Sequence, residues 1–401
     1  MKRDRFLATV IGGGTALILA GCASAPQGPR FEGGSSAFTS LTHAGKHIGA
    51  CDFDADGRTD FVVSGSLPEG QHRTTVLVTG SGRFKTELTL ERGFDGLAGG
   101  DFDGDGHCDF AGLTGGQGAG SRSDFRIFYG AEGGRFPTTV SRSAEPGYPR
   151  AIAAADTGGD GVEDVAVFYK AFPDEPDTAV FPGSAERNRP RQPSLHRLQG
   201  TAVAALADDI DGDGDPDLAA LTGDRRIRLL VNRPGPYQME HSRAYGEAAE
   251  TDRFAADLVS GDFDADGDAD LAVADPGEAR VFLFTGDTRP KMAASYRFPN
   301  HARPQALAAT DLDGDGLDDL VVLRQGPDGP VLTGLQVRRE SDNLTFTNRG
   351  DYRVTELVEA KRLRLTDLDE TGGADAVVWG RSGDGPGLAT VRDLTITEAQ
   401  P

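Results

Sequence analysis

Short apolar runs punctuate the chain, among them Phe61-Val62-Val63, Leu218-Ala219-Ala220-Leu221, Leu271-Ala272-Val273 and Leu320-Val321-Val322-Leu323. Such runs, bounded by Gly and Asp, are too short for helices and read as strands covered on both faces. Across an acidic gap, small-residue runs precede similar segments: Leu97-Ala98-Gly99-Gly100, Ile152-Ala153-Ala154-Ala155, Val203-Ala204-Ala205-Leu206 and Leu307-Ala308-Ala309-Thr310. Alanine favours helix by intrinsic propensity. The brevity of these runs, and Pro149 and Pro304 just upstream, argue for strands instead. Bulkier third strands follow at Val76-Leu77-Val78, Phe125–Tyr129, Ile227–Val231 and Val281–Phe284. A fourth, more polar stretch starts near Phe84, Phe136, Tyr237, Phe298 or Phe346. Four short strands, small inside and large outside, make a wedge, and wedges of this kind build the blades of a β-propeller.

The acidic gap is the most constant part of the unit. Asp262-Phe263-Asp264-Ala265-Asp266-Gly267-Asp268-Ala269-Asp270 has the form D-x-D-x-D-G-x-x-D. Other intact copies begin at Asp52, Asp101, Asp209 and Asp311, and two worn copies at Asp156 and Asp367. First aspartates are separated by 49, 55, 53, 53, 49 and 56 residues. A period near fifty marks a repeat architecture. The prediction is an all-β, seven-bladed propeller of four-stranded blades. The seventh unit has its strands near Leu363–Leu365, Ala376–Trp379 and Leu388–Val391, then runs out before a fourth. Residues 36–42, with Phe38 placed as Phe84 is in the next unit, are predicted to supply it and close the ring.

The residue types in the gap suit a hard cation. The predicted ligands are Asp52, Asp54, Asp56 and Asp60; Asp101, Asp103, Asp105 and Asp109; Asp209, Asp211, Asp213 and Asp217; Asp262, Asp264, Asp266 and Asp270; Asp311, Asp313, Asp315 and Asp319. Oxygen-only ligands in a flexible loop with a glycine turn at position 6 favour Ca²⁺ over Mg²⁺. Without an ion the loop is frustrated, because two carboxylates about 4 Å apart repel by roughly 4 kcal/mol at an effective dielectric near 20. Position 12, where an EF-hand needs Glu, is Val63, Gly112, Ala220, Val273 or Val322, so position 9 must close the site. The worn loops keep Asp156, Asp160 and Asp164, with Gly158 at position 3, and Asp367, Asp369 and Asp375, with Thr371 at position 5. Five Ca²⁺ sites are expected, and up to seven if the worn loops bind.

Net charge is −22 over 401 residues, much of it from these aspartates. That balance points to cations and excludes a nucleic-acid partner, which needs a basic footprint. No H-E-x-x-H, G-x-S-x-G or Walker sequence is present. The seven histidines are scattered and read as solvated or loop residues, and Arg349-Gly350-Asp351 as a chance turn. Trp379 is assigned to the core of blade seven. Cys51 and Cys108 could bond in an oxidising compartment. Equivalent positions on neighbouring blades strain the ~7 Å Cα limit, so two small buried residues are expected rather than a bond.

Residues 1–21 read as an address. Lys2, Arg3 and Arg5 precede an apolar run from Phe6 to Ala20, too short for a comfortable span and right for a signal peptide. It ends Leu19-Ala20-Gly21-Cys22, which resembles the lipobox of bacterial lipoproteins. The resemblance implies cleavage before Cys22, lipidation of Cys22 and anchoring in the cell envelope outside the cytoplasm. Ala23 rather than Asp follows, which signals the outer membrane if the cell has two. Residues 22–35 are read as a flexible tether and 36–401 as the propeller.

The repeated order of inner strand, acidic loop and apolar strand resembles the FG-GAP/VCBS repeat family, the repeat of integrin α-subunit propellers. The resemblance spans roughly residues 36–395, with Gly261-Asp262-Phe263 and Ala274-Asp275-Pro276 as remnants of the family's signatures. It implies calcium between the first two strands of a blade, on one face, and recognition on the other. The expected function is a calcium-stabilised, lipid-anchored, monomeric and non-catalytic binding or scaffold module with a protein or glycan ligand. The alternative is a propeller enzyme acting on glycans, a hydrolase or lyase with its site at the central channel. A cluster of His, Tyr, Arg or carboxylates at the axial mouth opposite the loops would favour that alternative.

Overall fold

A computed structural model describes residues 29–43, 45–67, 71–80, 83–114, 124–143, 148–170, 172, 174–187, 191–233, 238–244, 257–286, 290–341 and 343–397. The leader, Cys22 and Tyr237 lie outside them. The chain forms seven antiparallel sheets, and the first strand of each stands beside that of its neighbours around an axis. Blade one takes His47–Cys51, Asp60–Ser66, His72–Gly80 and Arg83–Leu90 in sequence order from the inside out. Blades two to six repeat that order, starting at Leu97, Pro149, Ala202, Asp257 and Pro304. Among the described residues the one helical element is a 3₁₀ turn, Pro299–His301. Phe298 thus lies after the fourth strand of blade five, Lys291–Arg297, rather than opening it.

Apolar clusters fill the clefts between blades. Phe53, Val62, Phe94, Phe110 and Phe128 pack between blades one and two, where Phe110 and Phe128 stack at 4.4 Å. Phe61 and Trp379 meet edge to face at 5.0 Å across the seam between blades one and seven. Trp379 is fully buried, so the seam is a true core, and each such side chain contributes roughly 1.5–3 kcal/mol on burial.

Blade seven closes the ring. Its strands are Glu359–Thr366, Ala374–Arg381 and Pro386–Thr397. The last pairs with Ser36–Ser40, register Ser36 with Val391 through Ser40 with Gly387. It also pairs with a second N-terminal strand, Arg30–Glu32, register Arg30 with Thr397. The segment read as tether over 22–35 therefore enters the fold from Arg30 onward. Phe31 explains it: the ring is 5% exposed and lies over Gly334 of blade six, where a Cβ would meet it at 2.5 Å. Composition around Gly33-Gly34-Ser35 suggested a linker, and one buried aromatic overrides it.

Two further expectations are corrected. Cys51 and Cys108 form a disulfide with Cα atoms 6.0 Å apart. They are not equivalent positions. Position 8 of each loop leans back over the preceding one: Glu163 donates its amide to the Asp101 carbonyl, Ala269 to Asp209 and Asp318 to Asp262, at 2.8–3.0 Å. Cys108, at position 8, is thereby brought to Cys51, just before loop one. Arg349-Gly350-Asp351 lies within the strand Asn343–Arg353, not in a turn. Asp351 accepts from Thr333 Oγ1 at 2.7 Å and from Arg324, so the tripeptide is tied into its sheet. His43 and His196 are buried, not solvated, and His43 Nε2 lies 3.1 Å from the Val63 carbonyl.

Candidate metal centres

Each acidic loop joins the first two strands of its blade, all on one face. A shared hydrogen-bond pattern shapes them. The position-1 carboxylate accepts the amides of positions 5 and 6: Asp52 takes Asp56 at 3.1 Å and Gly57 at 2.8 Å, and Asp262 takes Asp266 and Gly267 at 3.2 Å each. The turn needs a left-handed residue at position 6, always glycine here, with φ 89° at Gly57 and 94° at Gly267. Position 4 is also left-handed. Ala55, Ala265 and Glu370 stand there with φ of 60°, 55° and 60°, at an expected cost of roughly 1–2 kcal/mol each.

Position 2 is a plug the sequence did not flag. Phe53, Phe102, Ile210, Phe263, Leu312 and Leu368 are all buried there. Position 9 does more than ligate. Asp60 Oδ2 accepts the Phe53 amide at 2.9 Å, while Oδ1 accepts the Thr79 amide at 2.6 Å from the end of the third strand. Asp109, Asp217 and Asp319 repeat this staple with Gly130, Asn232 and Val337 at 2.7, 2.7 and 2.8 Å, and Asp270 with Gly286. The role explains why the worn loops retain Asp164 and Asp375, which accept the Gly183 amide at 2.7 Å and the Asp393 amide at 2.9 Å.

The structure brings three of the four sequence-predicted ligands of each intact loop together, leaving out position 5 in loops one, two, four and five and position 9 in loop six. One oxygen from each of Asp52, Asp54 and Asp60 lies within 4.8 Å of the others, and so for Asp101, Asp103 and Asp109, for Asp209, Asp211 and Asp217, for Asp262, Asp264 and Asp270, and for Asp311, Asp313 and Asp315. Burial pushes the position-9 carboxyls up, to about 7 in Asp60, Asp217 and Asp270 and to about 8 in Asp109 and Asp319. Asp54, Asp103, Asp211, Asp264 and Asp313 are raised as well, first by burial. The Oδ1 atoms of Asp54, Asp211 and Asp264 are buried with no hydrogen-bond partner. Orphaned, anionic and hard, they fit a divalent calcium-like ion. Bound there, the ion would neutralise the loop. The chain's part is to hold the carboxylates at positions 1, 3, 5 and 9.

The loops are not alike. In loops two and six a protein donor already reaches position 3: Arg187 contacts Asp103 and lies 2.7 Å from Asp105, and Gln336 contacts Asp313. In worn loop three Thr157 stands at position 2 and its hydroxyl donates to Asp164, while Arg191 meets Asp160 at 3.0 Å. In worn loop seven Arg392, from the closing strand, puts Nη1 2.6 Å from Asp375 Oδ2 and 3.5 Å from Asp369 Oδ2. A guanidinium thus stands between the carboxylates of Asp369 and Asp375, and Thr371 Oγ1 donates to Asp369 at 2.8 Å.

Comparison with known proteins agrees with this architecture. An FG-GAP-like repeat profile matches residues 101–167, which hold loop two and worn loop three, and 262–322, which hold loops five and six. No curated protein matches the chain. Among solved structures, the BP39L lectin from Burkholderia pseudomallei superposes with a TM-score of 0.59 at 16% identity, over 90% of this chain and 99% of that one. At that identity the likeness is one of fold.

Proposed function

We propose that this ring of FG-GAP-like repeats is a calcium-stabilised, non-catalytic recognition module, held at the bacterial cell envelope by a lipid on Cys22. The observation that carries the reading is the segregation of the acidic loops to one face, with orphaned carboxylate oxygens in Asp54, Asp211 and Asp264. Cations lock that face, and the other is left to present a rigid surface. The lectin propeller neighbour is consistent with a glycan or protein as the partner. Lipidation would be read as a mass shift on Cys22 in protein extracted from membranes, removed by Cys22→Ser. A glycan array and a pull-down, with residues 23–401 as bait and calcium present, test recognition. Selective capture abolished by chelator supports the module; no selective capture on either platform counts against it.

One observation favours the alternative, a glycan-acting hydrolase or lyase. His47 opens the inner strand of blade one at the end away from its acidic loop, and the charge of Arg362, from the inner strand of blade seven, acts on it. Release of new reducing ends or of unsaturated products from a captured glycan would establish the enzyme.

A further inference from the structure

Between blades one and two a cavity of about 490 Å³ opens on the face away from the acidic loops. Topology fixes the face. The second strand of blade one, Asp60–Ser66, leaves loop one, so His72, which opens the third, stands at the far end. Thr114 ends the strand Asp109–Thr114, which leaves loop two, and is likewise at the far end. The segment from Glu91 to Gly96 joins the fourth strand of blade one, Arg83–Leu90, to the inner strand of blade two, Leu97–Gly100, and walls the cavity. Gln71, His72, Glu91, Arg92, Asp95 and Thr114 are the polar residues of the lining. Gln71, His72, Glu91 and Asp95 are exposed, and Arg92 and Thr114 half-buried.

The wall is pinned along its length. Thr74 Oγ1 donates to the Arg92 carbonyl at 2.8 Å, Ser64 Oγ accepts the Phe94 amide at 2.7 Å, and the Asp95 amide donates to the Leu113 carbonyl at 2.8 Å. Phe94 turns inward over Gly112, where a Cβ would meet its ring at 2.6 Å. Gly93 lets the wall cross His72 closely, since a Cβ there would meet the His72 Cβ at 2.5 Å. Arg73 Nη2 holds both oxygens of Glu91, at 2.7 and 3.0 Å. Ser66 Oγ lies 3.2 Å from His72 Nδ1. Groups held in this way lose little freedom when a ligand arrives.

We infer that this cavity binds a neutral sugar ring, with Glu91 and Asp95 accepting from its hydroxyls and Gln71 and Arg92 donating to them. The inference rests on the reading of that face as the recognition surface, and it names the place and the ligand class. The volume falls in the roughly 300–1,000 Å³ range of small-molecule sites. Charge sorts the candidates. An anion would meet Glu91 and Asp95, and a cation would meet Arg92 and Arg73. An apolar ligand would strip water from the lining and return no hydrogen bond. Each hydroxyl of a sugar both donates and accepts, so the ring can serve carboxylates and a guanidinium together. Two neighbouring hydroxyls can share the two oxygens of one carboxylate, and hydrogen bonds to a charged group are the stronger kind. An extended peptide pairs best with an open strand edge. The strands that His72 opens and Thr114 ends both lie inside their sheets, with no such edge to offer.

The test is saturation-transfer NMR on the full-length chain, in mild detergent and saturating calcium. The probes are the methyl glycosides of glucose, galactose and mannose, a hexuronate, a protonated amino sugar and a glycine tetrapeptide. At least one neutral glycoside should bind, with a Kd on the order of 1 mM, and more tightly than the charged sugars or the peptide. Asp95→Asn should weaken it about tenfold and Gln71→Ala about threefold, at unchanged melting temperature. Gln71 is exposed, so Gln71→Ala decides if Asp95→Asn fails to fold. Binding of no neutral glycoside, preference for a charged sugar or the peptide, or an affinity indifferent to the folded variants overturns the inference. Selective capture of a protein, or of a glycan that ignores both substitutions, would sink this site and leave the recognition module standing. No selective capture of any kind would count against both.

Discussion

Loop five and loop seven share a backbone and differ in what balances their charge. In loop five Asp262, Asp264 and Asp270 converge, and Asp264 Oδ1 is buried without a hydrogen bond, Arg339 Nη2 standing off at 3.7 Å. In loop seven position 5 is Thr371, and Arg392 reaches Asp375 and Asp369 from the closing strand. Both position-9 aspartates still tie a loop to the third strand. The shape of the corner therefore does not depend on the ion, whereas tolerance of its charge does. A loop that has lost a ligand borrows a cation from the chain, Arg392 in loop seven and Arg191 on Asp160 in loop three, where Thr157 also gives Asp164 a neutral donor.

The largest expected effect is that of chelation. A site at ten times its dissociation constant adds about 1.4 kcal/mol, so emptying five sites should lower the melting temperature by about 10 °C. A melt indifferent to chelator would end the distinction between the two kinds of loop.

Next comes a paired substitution. Asp375→Asn strands Arg392 without its closest counter-charge and should cost about 3 kcal/mol with or without calcium. Asp264→Asn, which removes a ligand whose Oδ1 makes no hydrogen bond, should abolish only the calcium-dependent part, leaving the chelated protein unharmed. Equal calcium dependence in the two variants would erase the contrast.

Replacing the internal cation is a smaller change. Arg392→Met should cost about 1–2 kcal/mol in chelator, with part of the loss recovered on adding calcium as loop seven gains an ion. Bound calcium, counted by elemental analysis, should then rise by about one per chain relative to the parent. An unchanged count would show that loop seven takes no metal even when vacated.

The smallest effect is on pH. The buried position-9 carboxyls lie at about 7 to 8 in the calcium-free fold, above their unfolded value. Folding then favours the protonated form, so this stability is full below the unfolded pKa and is lost as pH rises through 7 to 8. Calcium-free protein should melt higher at pH 6 than at pH 8.5, and saturating calcium should flatten or invert that order. Inversion without calcium would contradict the burial of these groups.

The architecture was legible because its signal is periodic. Seven acidic turns at near-constant spacing, each followed by an apolar run, leave little freedom for other folds. What escaped was set by single side chains acting across long separations. Arg392 lies 17 residues beyond the aspartate it meets and looks like any surface arginine in sequence. Phe31 sits among Gly and Ser, and only the cleft beside Gly334 reveals its anchoring. The disulfide depends on position 8 leaning over the previous loop, a tertiary fact with no local signature. Seen from sequence, position 9 was a ligand; its two amide bonds became visible only with the third strand in place.

The pairing of Ser36–Ser40 with Pro386–Thr397 also sets a timetable. This early strand must wait for the last, some 350 residues later, before its backbone groups find partners. Until then the nascent protein is an open arc with a bare edge carrying Phe38, the kind of edge that recruits other chains. Arg392 travels on that final strand. The moment the arc snaps shut, the guanidinium arrives with it, and the latch sets without waiting for an ion to diffuse in.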